Sequence, residues 1–78
     1  MELDKIKELI GGILSLDISE IEKLNEHTRL FSDLGMDSLD LFQLVVEAEA
    51  YFGISLNENA IPTIKTIGDA AELVRRMV

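Results

Sequence analysis

Apolar residues recur at helical spacing in three stretches of this chain, and no stretch alternates with the two-residue period of a strand. This periodicity is the strongest constraint on the fold, because a chain patterned in this way buries its apolar side chains by packing helices together. The first stretch places an apolar side chain every three or four residues, at Leu3, Ile6, Ile10, Ile13 and Leu14. Each glycine of the pair Gly11-Gly12 weakens a helix by about 1 kcal/mol relative to alanine. We still predict that the first helix continues to about Ser15.

The central stretch predicts a helix that begins at about Ser38 and ends near Phe52, with Gly53 as its C-terminal cap. At about 100° per residue, this helix has two apolar faces. The inner face contains Leu41, Leu44, Val45, Ala48 and Phe52. The outer strip lies nearly opposite and contains Leu39, Phe42, Val46 and, at its end, Ala50.

A small domain can fully bury only one of these two faces. We therefore expect the outer strip to be exposed beside Asp40, Glu47 and Glu49. Exposed apolar patches usually mark interaction surfaces, so the strip predicts a docking site for a partner. The alternative is that a flanking loop folds over the strip and buries it.

Residues 16–37 form a long connection between the first two helices, and connections of this length tend to be functional in small domains. A short helical turn is predicted at Ser19–Leu24, with Ser19 as its cap and Glu22 three residues later. Gly35 permits a tight turn or a positive φ just before the central helix. We expect four side chains to pin the connection to the core: Leu24, Leu30, Phe31 and Leu34.

A short third element is predicted at Asn57 to Ile61, which Pro62 limits or kinks because proline has no N–H to donate. After it, Thr66 with Asp69 three residues later is a variant of the capping box that opens a helix.

The last helix has one apolar face and ends in two cations, Arg75 and Arg76, which complement the dipole of its final turn. The apolar face contains Ile67, Ala70, Ala71, Val74, Met77 and Val78. Together these patterns predict an all-α fold. It is a small bundle of three main helices plus one short helix, with a long loop between helices one and two.

At 78 residues the chain has room for one domain, residues 1–78. It has no cysteine, which excludes disulfides and thiolate metal sites and is typical of a cytoplasmic protein. No apolar run is long enough to cross a membrane, and the first residues lack the basic start and apolar stretch of a signal peptide. We therefore expect a cytoplasmic monomer.

The net charge of −8 is unevenly distributed. Residues 30–64 contain six acidic residues and no Lys or Arg. A surface of one sign repels nucleic acid and anionic membranes and steers basic partners toward it. The alternative is that the acidity only keeps a small protein in solution.

Catalysis by this chain alone is not indicated. Its one histidine, His27, lies in a loop, where a solvated or capping role is far commoner than that of a base. Ser38 has no evident base, and the nucleophile pattern G-x-S-x-G fails because Met36 and Asp40 occupy its glycine positions. The run from Asp33 lacks the ligands of a calcium loop, and no glycine-rich phosphate loop is present. We predict no catalytic residue and no metal site.

Ser38 lies between two carboxylates at the predicted start of the central helix. One interpretation is an N-cap, which contributes about 1 kcal/mol to stability. Another is that a phosphate esterified to its hydroxyl would lie near the positive end of the helix dipole. The residues alone leave both interpretations open.

The run LGMDSLDLFQLVVEAEAYFGISL resembles the signature of the acyl carrier protein family: LG-x-DSL, apolar spacing through the second helix, and a phenylalanine before the next loop. The resemblance extends over essentially the whole chain. It implies that Ser38 carries 4′-phosphopantetheine, which a holo-carrier synthase (a phosphopantetheinyl transferase) transfers from coenzyme A. It also implies a carrier of acyl thioesters in fatty-acid or polyketide-type biosynthesis.

The same resemblance implies where partner enzymes dock. Asp37 and Asp40 match acidic residues that meet basic side chains on the synthase and on acyltransferases or ketosynthases. Glu49 matches an acidic position of the second helix, and Glu47 lies one helical turn from Gln43. The implied docking residues are Asp37, Leu39, Asp40, Phe42, Val46, Glu47 and Glu49.

Four positions depart from the family pattern. Gln43 stands where fatty-acid carriers commonly have glutamate, Ala50 replaces another acid, Phe42 is bulkier than the usual aliphatic residue, and Pro62 interrupts the third helix. The partner face is therefore less acidic than in those carriers, which leaves the pathway open.

The cargo is the other open question. The run LGMD before the serine, in place of the GGH or GGD typical of peptidyl carriers, favours acyl over aminoacyl cargo. A carrier of aminoacyl or other dedicated cargo and an unmodified helical adaptor are the alternatives. Ala48, Ala70 and Ala71 either leave space between helices for an acyl chain or simply permit close packing.

Overall fold

The computed structural model describes residues 2–78, whose regular structure is helical apart from one isolated bridge between Arg29 and Thr66. The predicted all-α fold is confirmed. A 3₁₀ helix spans Glu58–Thr63. The four α-helices are α1 at Glu2–Leu14, α2 at Ile18–Glu22, α3 at Ser38–Phe52 and α4 at Ile67–Met77.

The core lies where α1 packs against α3 and α4. Ile6 and Ile10 of α1 are almost completely buried, as their spacing predicts. The inner face of α3 is also confirmed, although Phe52 at its end is only partly buried. The remaining buried positions of α3 and α4 are Leu41, Leu44, Val45, Ala48, Ile67, Ala70 and Val74.

The short helix α2 begins with a different cap from the predicted one. Asp17, not Ser19, is its N-cap: Asp17 Oδ1 accepts hydrogen bonds from the Glu20 N–H at 2.8 Å and from the Ser19 hydroxyl at 2.8 Å. The Glu20 carboxylate accepts the Asp17 N–H at 3.0 Å and completes a capping box. The hydrogen bond from the Glu20 backbone lowers the pKa of Asp17. A carboxylate two residues upstream thus takes the role predicted for the serine.

The connection to α3 is held by three of the four predicted side chains. Leu24 and Leu30 are buried and Leu34 is partly buried, but Phe31 is 41% exposed, so that expectation is wrong. Met36 is buried instead. The reason is a tight loop in which the Met36 N–H donates to the Leu30 carbonyl at 3.1 Å, so both loop ends face the core and Phe31 faces outward.

Two glycines adopt the left-handed conformation expected of them. Gly35 has φ +67° in the turn before α3, and Gly53 has φ +67° at the C-cap of α3. The amide N–H groups of Gly53 and Ile54 both donate to the Glu49 carbonyl, which ends the helix.

The 3₁₀ helix contains Pro62 and continues one residue beyond it, so of the two predicted effects of this proline the first, that it limits the element, is wrong. The fixed φ of proline, about −65°, lies within the 3₁₀ range, and only one hydrogen bond is lost.

Helix α4 begins as predicted, with a capping box between Thr66 and Asp69. A hydrogen bond from the Lys65 backbone N–H is the largest cause of a lowered pKa at Asp69. The cations Arg75 and Arg76 lie in the last turn, as predicted. Met77 and Val78 are 47% and 64% exposed rather than part of the apolar face, because they follow Val74, the last buried position.

Gly68 provides a test of how closely α4 approaches the connecting loop. A Cβ atom at Gly68 would lie 2.7 Å from the backbone oxygen of Glu26, which cannot rotate away. We expect Gly68→Ala to lower the free energy of unfolding by about 1–3 kcal/mol, measured by urea denaturation.

Gly12→Ala is the matched control, because a Cβ at Gly12 in α1 meets no atom within 4 Å. It should raise stability by about 0.5–1 kcal/mol through helix propensity. Equal effects of the two substitutions would contradict the close approach at Gly68.

Candidate functional site

Ser38 is the first residue of α3, and the residue before it caps the helix. Asp37 Oδ1 accepts the Asp40 N–H at 2.9 Å, and Asp40 Oδ2 accepts the Asp37 N–H at 3.2 Å. This reciprocal pair is a capping box made of two aspartates. The interpretation of Ser38 as the N-cap is therefore wrong, and the serine side chain has no part in beginning the helix.

The hydroxyl of Ser38 is presented to solvent without being activated. The residue is exposed, and among residues 2–78 its hydroxyl makes no hydrogen bond to another protein group. His27, the one imidazole in the chain, is 87% exposed and lies 3.4 Å from Glu26. A serine hydroxyl without a hydrogen-bonded base is a weak nucleophile.

An apolar groove of about 350 Å³ begins at Ser38 and runs between α3 and the 3₁₀ helix; we call it the Ser38 groove. It is lined by Ser38, Phe31, Leu41, Phe42, Ile61, Pro62, Ile64 and Lys65. The outward turn of Phe31 supplies one wall. A long, partly apolar group attached to Ser38 therefore fits against the protein without displacing any buried side chain.

The outer strip of α3 is exposed, as predicted, and no loop covers it in the described part of the chain. Leu39 is 78%, Phe42 62% and Val46 46% exposed, and Ala50 is exposed beyond them. Phe42 belongs both to the strip and to the Ser38 groove. The exposed apolar strip is thus continuous with the surface beside the serine.

The acidic side chains predicted to flank the strip have different roles. Glu47 accepts a hydrogen bond from the Gln43 amide at 2.6 Å on the exposed surface. Glu49 is partly buried, and its Oε2 accepts the Leu56 N–H at 2.7 Å, which ties the loop after α3 to the helix. No local sequence pattern indicates this bond, because the two residues are seven positions apart.

The three alanines predicted either to leave space for an acyl chain or to permit close packing do not line one cavity. Ala48 and Ala70 line an apolar space of only about 10 Å³, while Ala71 lies elsewhere, beside Leu3. That volume is at the lower limit for one water molecule. In this conformation the alanines serve close packing, and the Ser38 groove offers far more room.

Two further findings concern the described residues as a whole. None of their helices is long and apolar enough to cross a membrane. Within residues 2–78, no cluster of three or more His, Cys, Asp or Glu side chains is arranged to hold a metal ion.

Comparison with known proteins gives a consistent result. The family model described as "Phosphopantetheine attachment site" matches residues 4–74. An acyl carrier protein of Aster yellows witches'-broom phytoplasma is 45% identical over 69 residues, covering 88% of this chain and 87% of that protein. An acyl carrier protein of Thermotoga maritima is 35% identical over 72 residues, covering 92% and 85%. A solved structure of a candidate acyl carrier protein from Mycobacterium tuberculosis has a TM-score of 0.87 at 34% identity, covering 97% of both chains.

The cap assignment can be tested with two neighbouring substitutions. Asp37→Ala removes the N-cap and should lower the free energy of unfolding by about 1 kcal/mol. Ser38→Ala, one residue later, should change it by less than about 0.5 kcal/mol. Urea denaturation of both variants decides between the two caps, since a serine cap would give the reverse order.

Proposed function

The chain belongs to the acyl carrier protein family, and we propose that Ser38 is the residue that bears its 4′-phosphopantetheine. The observation that carries this assignment is an exposed hydroxyl at the start of α3, released from capping by Asp37 and open to a groove. The protein is a carrier of acyl groups. We propose that residues 1–78 form one carrier domain. The arm supplies a terminal thiol, which a chain without cysteine lacks, to hold the cargo as a thioester.

The role of this chain in receiving the arm is that of an acceptor. Ser38 Oγ forms a bond to the phosphorus of coenzyme A as the phosphoanhydride bond breaks and adenosine 3′,5′-bisphosphate leaves. We place the base that takes the hydroxyl proton on the transferase, because no side chain among residues 2–78 accepts a hydrogen bond from Ser38 and the carboxylates of Asp37 and Asp40 are held in the capping box. This chain thus positions the hydroxyl that accepts the arm, and the transferase supplies the catalytic groups.

Partner docking is proposed for the outer strip and its acidic border. The capping box leaves the second oxygen of both Asp37 and Asp40 without a hydrogen bond within residues 2–78, so each can meet a basic side chain. Leu39, Phe42 and Val46 supply the apolar contact. Glu47 adds charge, whereas Glu49 contributes less because its carboxylate already holds the Leu56 N–H.

The partners we propose are a phosphopantetheinyl transferase and enzymes such as acyltransferases and ketosynthases that present basic patches. Exposed charges make such encounters fast, weak and sensitive to salt. Once docked, the tether raises the effective concentration of the cargo at each active site. A monomer that acts in the cytoplasm suits this exchange among partners, with fatty-acid or polyketide-type pathways as its setting.

Attachment at Ser38 is tested by incubating the protein with coenzyme A and a phosphopantetheinyl transferase and measuring intact mass. We expect the wild-type mass to rise by one phosphopantetheine group, and Ser38→Ala to show no increase. Ser32→Ala is the matched control, because Ser32 is an exposed serine on the same side of the molecule and should not affect loading. An adduct on the Ser38→Ala variant would show that the arm is attached at another residue. The absence of an adduct with any transferase would favour the unmodified helical adaptor.

Docking is tested with two aliphatic residues of equal exposure. Leu39 in the outer strip is 78% exposed and Ile18 in α2 is 76% exposed. We expect Leu39→Ala to lower kcat/KM of a transferase or acyltransferase by about 5- to 30-fold, the range for loss of an apolar anchor. Ile18→Ala should stay within about twofold. Equal effects would show that the strip is not the docking surface.

A further inference from the structure

Lys65 lies at the junction of two surface grooves and has a fixed backbone. It lines the Ser38 groove and also a second groove of about 210 Å³ formed with Arg29, Phe31 and Ser32. Its carbonyl accepts the Leu30 N–H at 2.9 Å, and its own N–H donates to Asp69 Oδ2 at 2.9 Å. The main chain at Lys65 is therefore held from both sides.

The side chain of Lys65, by contrast, is held only by attraction at a distance to Asp69, where its charge is the smallest of the causes that lower the pKa of the carboxyl. The residue is exposed, and among residues 2–78 its ammonium forms no ion pair, whereas Lys5, Arg29, Arg75 and Arg76 all do. Asp69 attracts this charge, but its Oδ2 already accepts two backbone N–H groups and the two side chains form no ion pair. A lysine on a four-carbon stem can thus turn its charge toward a ligand in either groove.

The start of α3 is flanked by two grooves of opposite charge. The Ser38 groove has Lys65 as its single charged lining residue. On the other side, a groove of about 400 Å³ is lined by Gly12, Ile13, Leu39, Asp40, Gln43 and Glu47, with two carboxylates and no cation. An anionic group attached to Ser38 is therefore repelled from one groove and attracted to the other.

We propose that Lys65 is a positioning residue that pairs with the phosphodiester of the arm on Ser38 and directs the arm into the Ser38 groove. This inference rests on the proposed attachment at Ser38. The partly apolar pantetheine then lies along Phe42, Ile61 and Pro62. Because exposed ion pairs are weak, the bias amounts to about two- to fivefold in population. Such a bias keeps the arm against the protein between encounters and still lets a partner enzyme withdraw it.

The test uses the loaded protein, with attachment at Ser38 first verified by intact mass. The measurement is the set of nuclear Overhauser effects at low salt between pantetheine protons and those of Phe42 and Ile61, with the ³¹P shift of the phosphodiester. We expect Lys65→Gln to reduce these effects about two- to fivefold and to move the ³¹P shift. Lys65→Glu should abolish them, and Lys65→Arg should retain them.

Lys23→Gln is the matched control, because Lys23 is an exposed lysine at the end of α2 that lines neither groove, and it should leave all signals unchanged. If wild-type protein carries the arm but lacks these contacts, or if Lys65→Glu keeps them, the inference is overturned while the proposed function stands. If the mass measurement shows that no arm is attached at Ser38, the proposed attachment at Ser38 and the proposed role of Lys65 are both wrong.

Discussion

The backbone hydrogen bonds between the long connection and the start of α4 are what the rest of the structure depends on. The Gly68 N–H donates to the Glu26 carbonyl at 2.9 Å, and the Ile67 N–H donates to the Thr28 carbonyl at 3.0 Å. The Leu30 N–H donates to the Lys65 carbonyl at 2.9 Å. A connection of about twenty residues without long helices would otherwise be free to move, because few of its side chains are buried. These bonds set where Leu30 lies, and the loop from Leu30 to Met36 then sets where α3 begins.

Helix α3 divides its side chains among three tasks. Asp37 and Asp40 cap its start, its inner face fills the core, and its outer strip stays in solvent. This division supports the proposed role of Ser38 as an acceptor, because its neighbours Asp37 and Asp40 cap the helix start. A serine needed as a cap would have to accept a helix N–H through the same oxygen that forms the ester.

Charge is also distributed unevenly around the start of α3. The segment 30–64 has six acids and no Lys or Arg, and its free carboxylates favour basic partner surfaces. Glu49 shows that acidity alone does not define a docking residue, since its carboxylate is used to hold Leu56. Lys65 ends the acidic segment and places a cation on one side of Ser38 only. With an arm attached at Ser38 as proposed, this asymmetry would favour one direction for it.

The sequence by itself determined the parts of this protein that depend on neighbours within about four residues. The buried face of α1, both faces of α3, the left-handed Gly35 and Gly53, and the Thr66–Asp69 cap follow from helical periodicity and local capping chemistry. The family resemblance, and with it Ser38, also came from one local run of residues. Tertiary structure decided three features that rest on contacts beyond that range: Met36 is buried in place of Phe31, Glu49 binds Leu56, and Lys65 lies beside Ser38. In the last two, the residues in contact are seven or more positions apart in the sequence. Two caps, Asp17 and Asp37, were also not predicted, because Ser19 and Ser38 follow them by two residues and by one residue and offered an equally plausible cap.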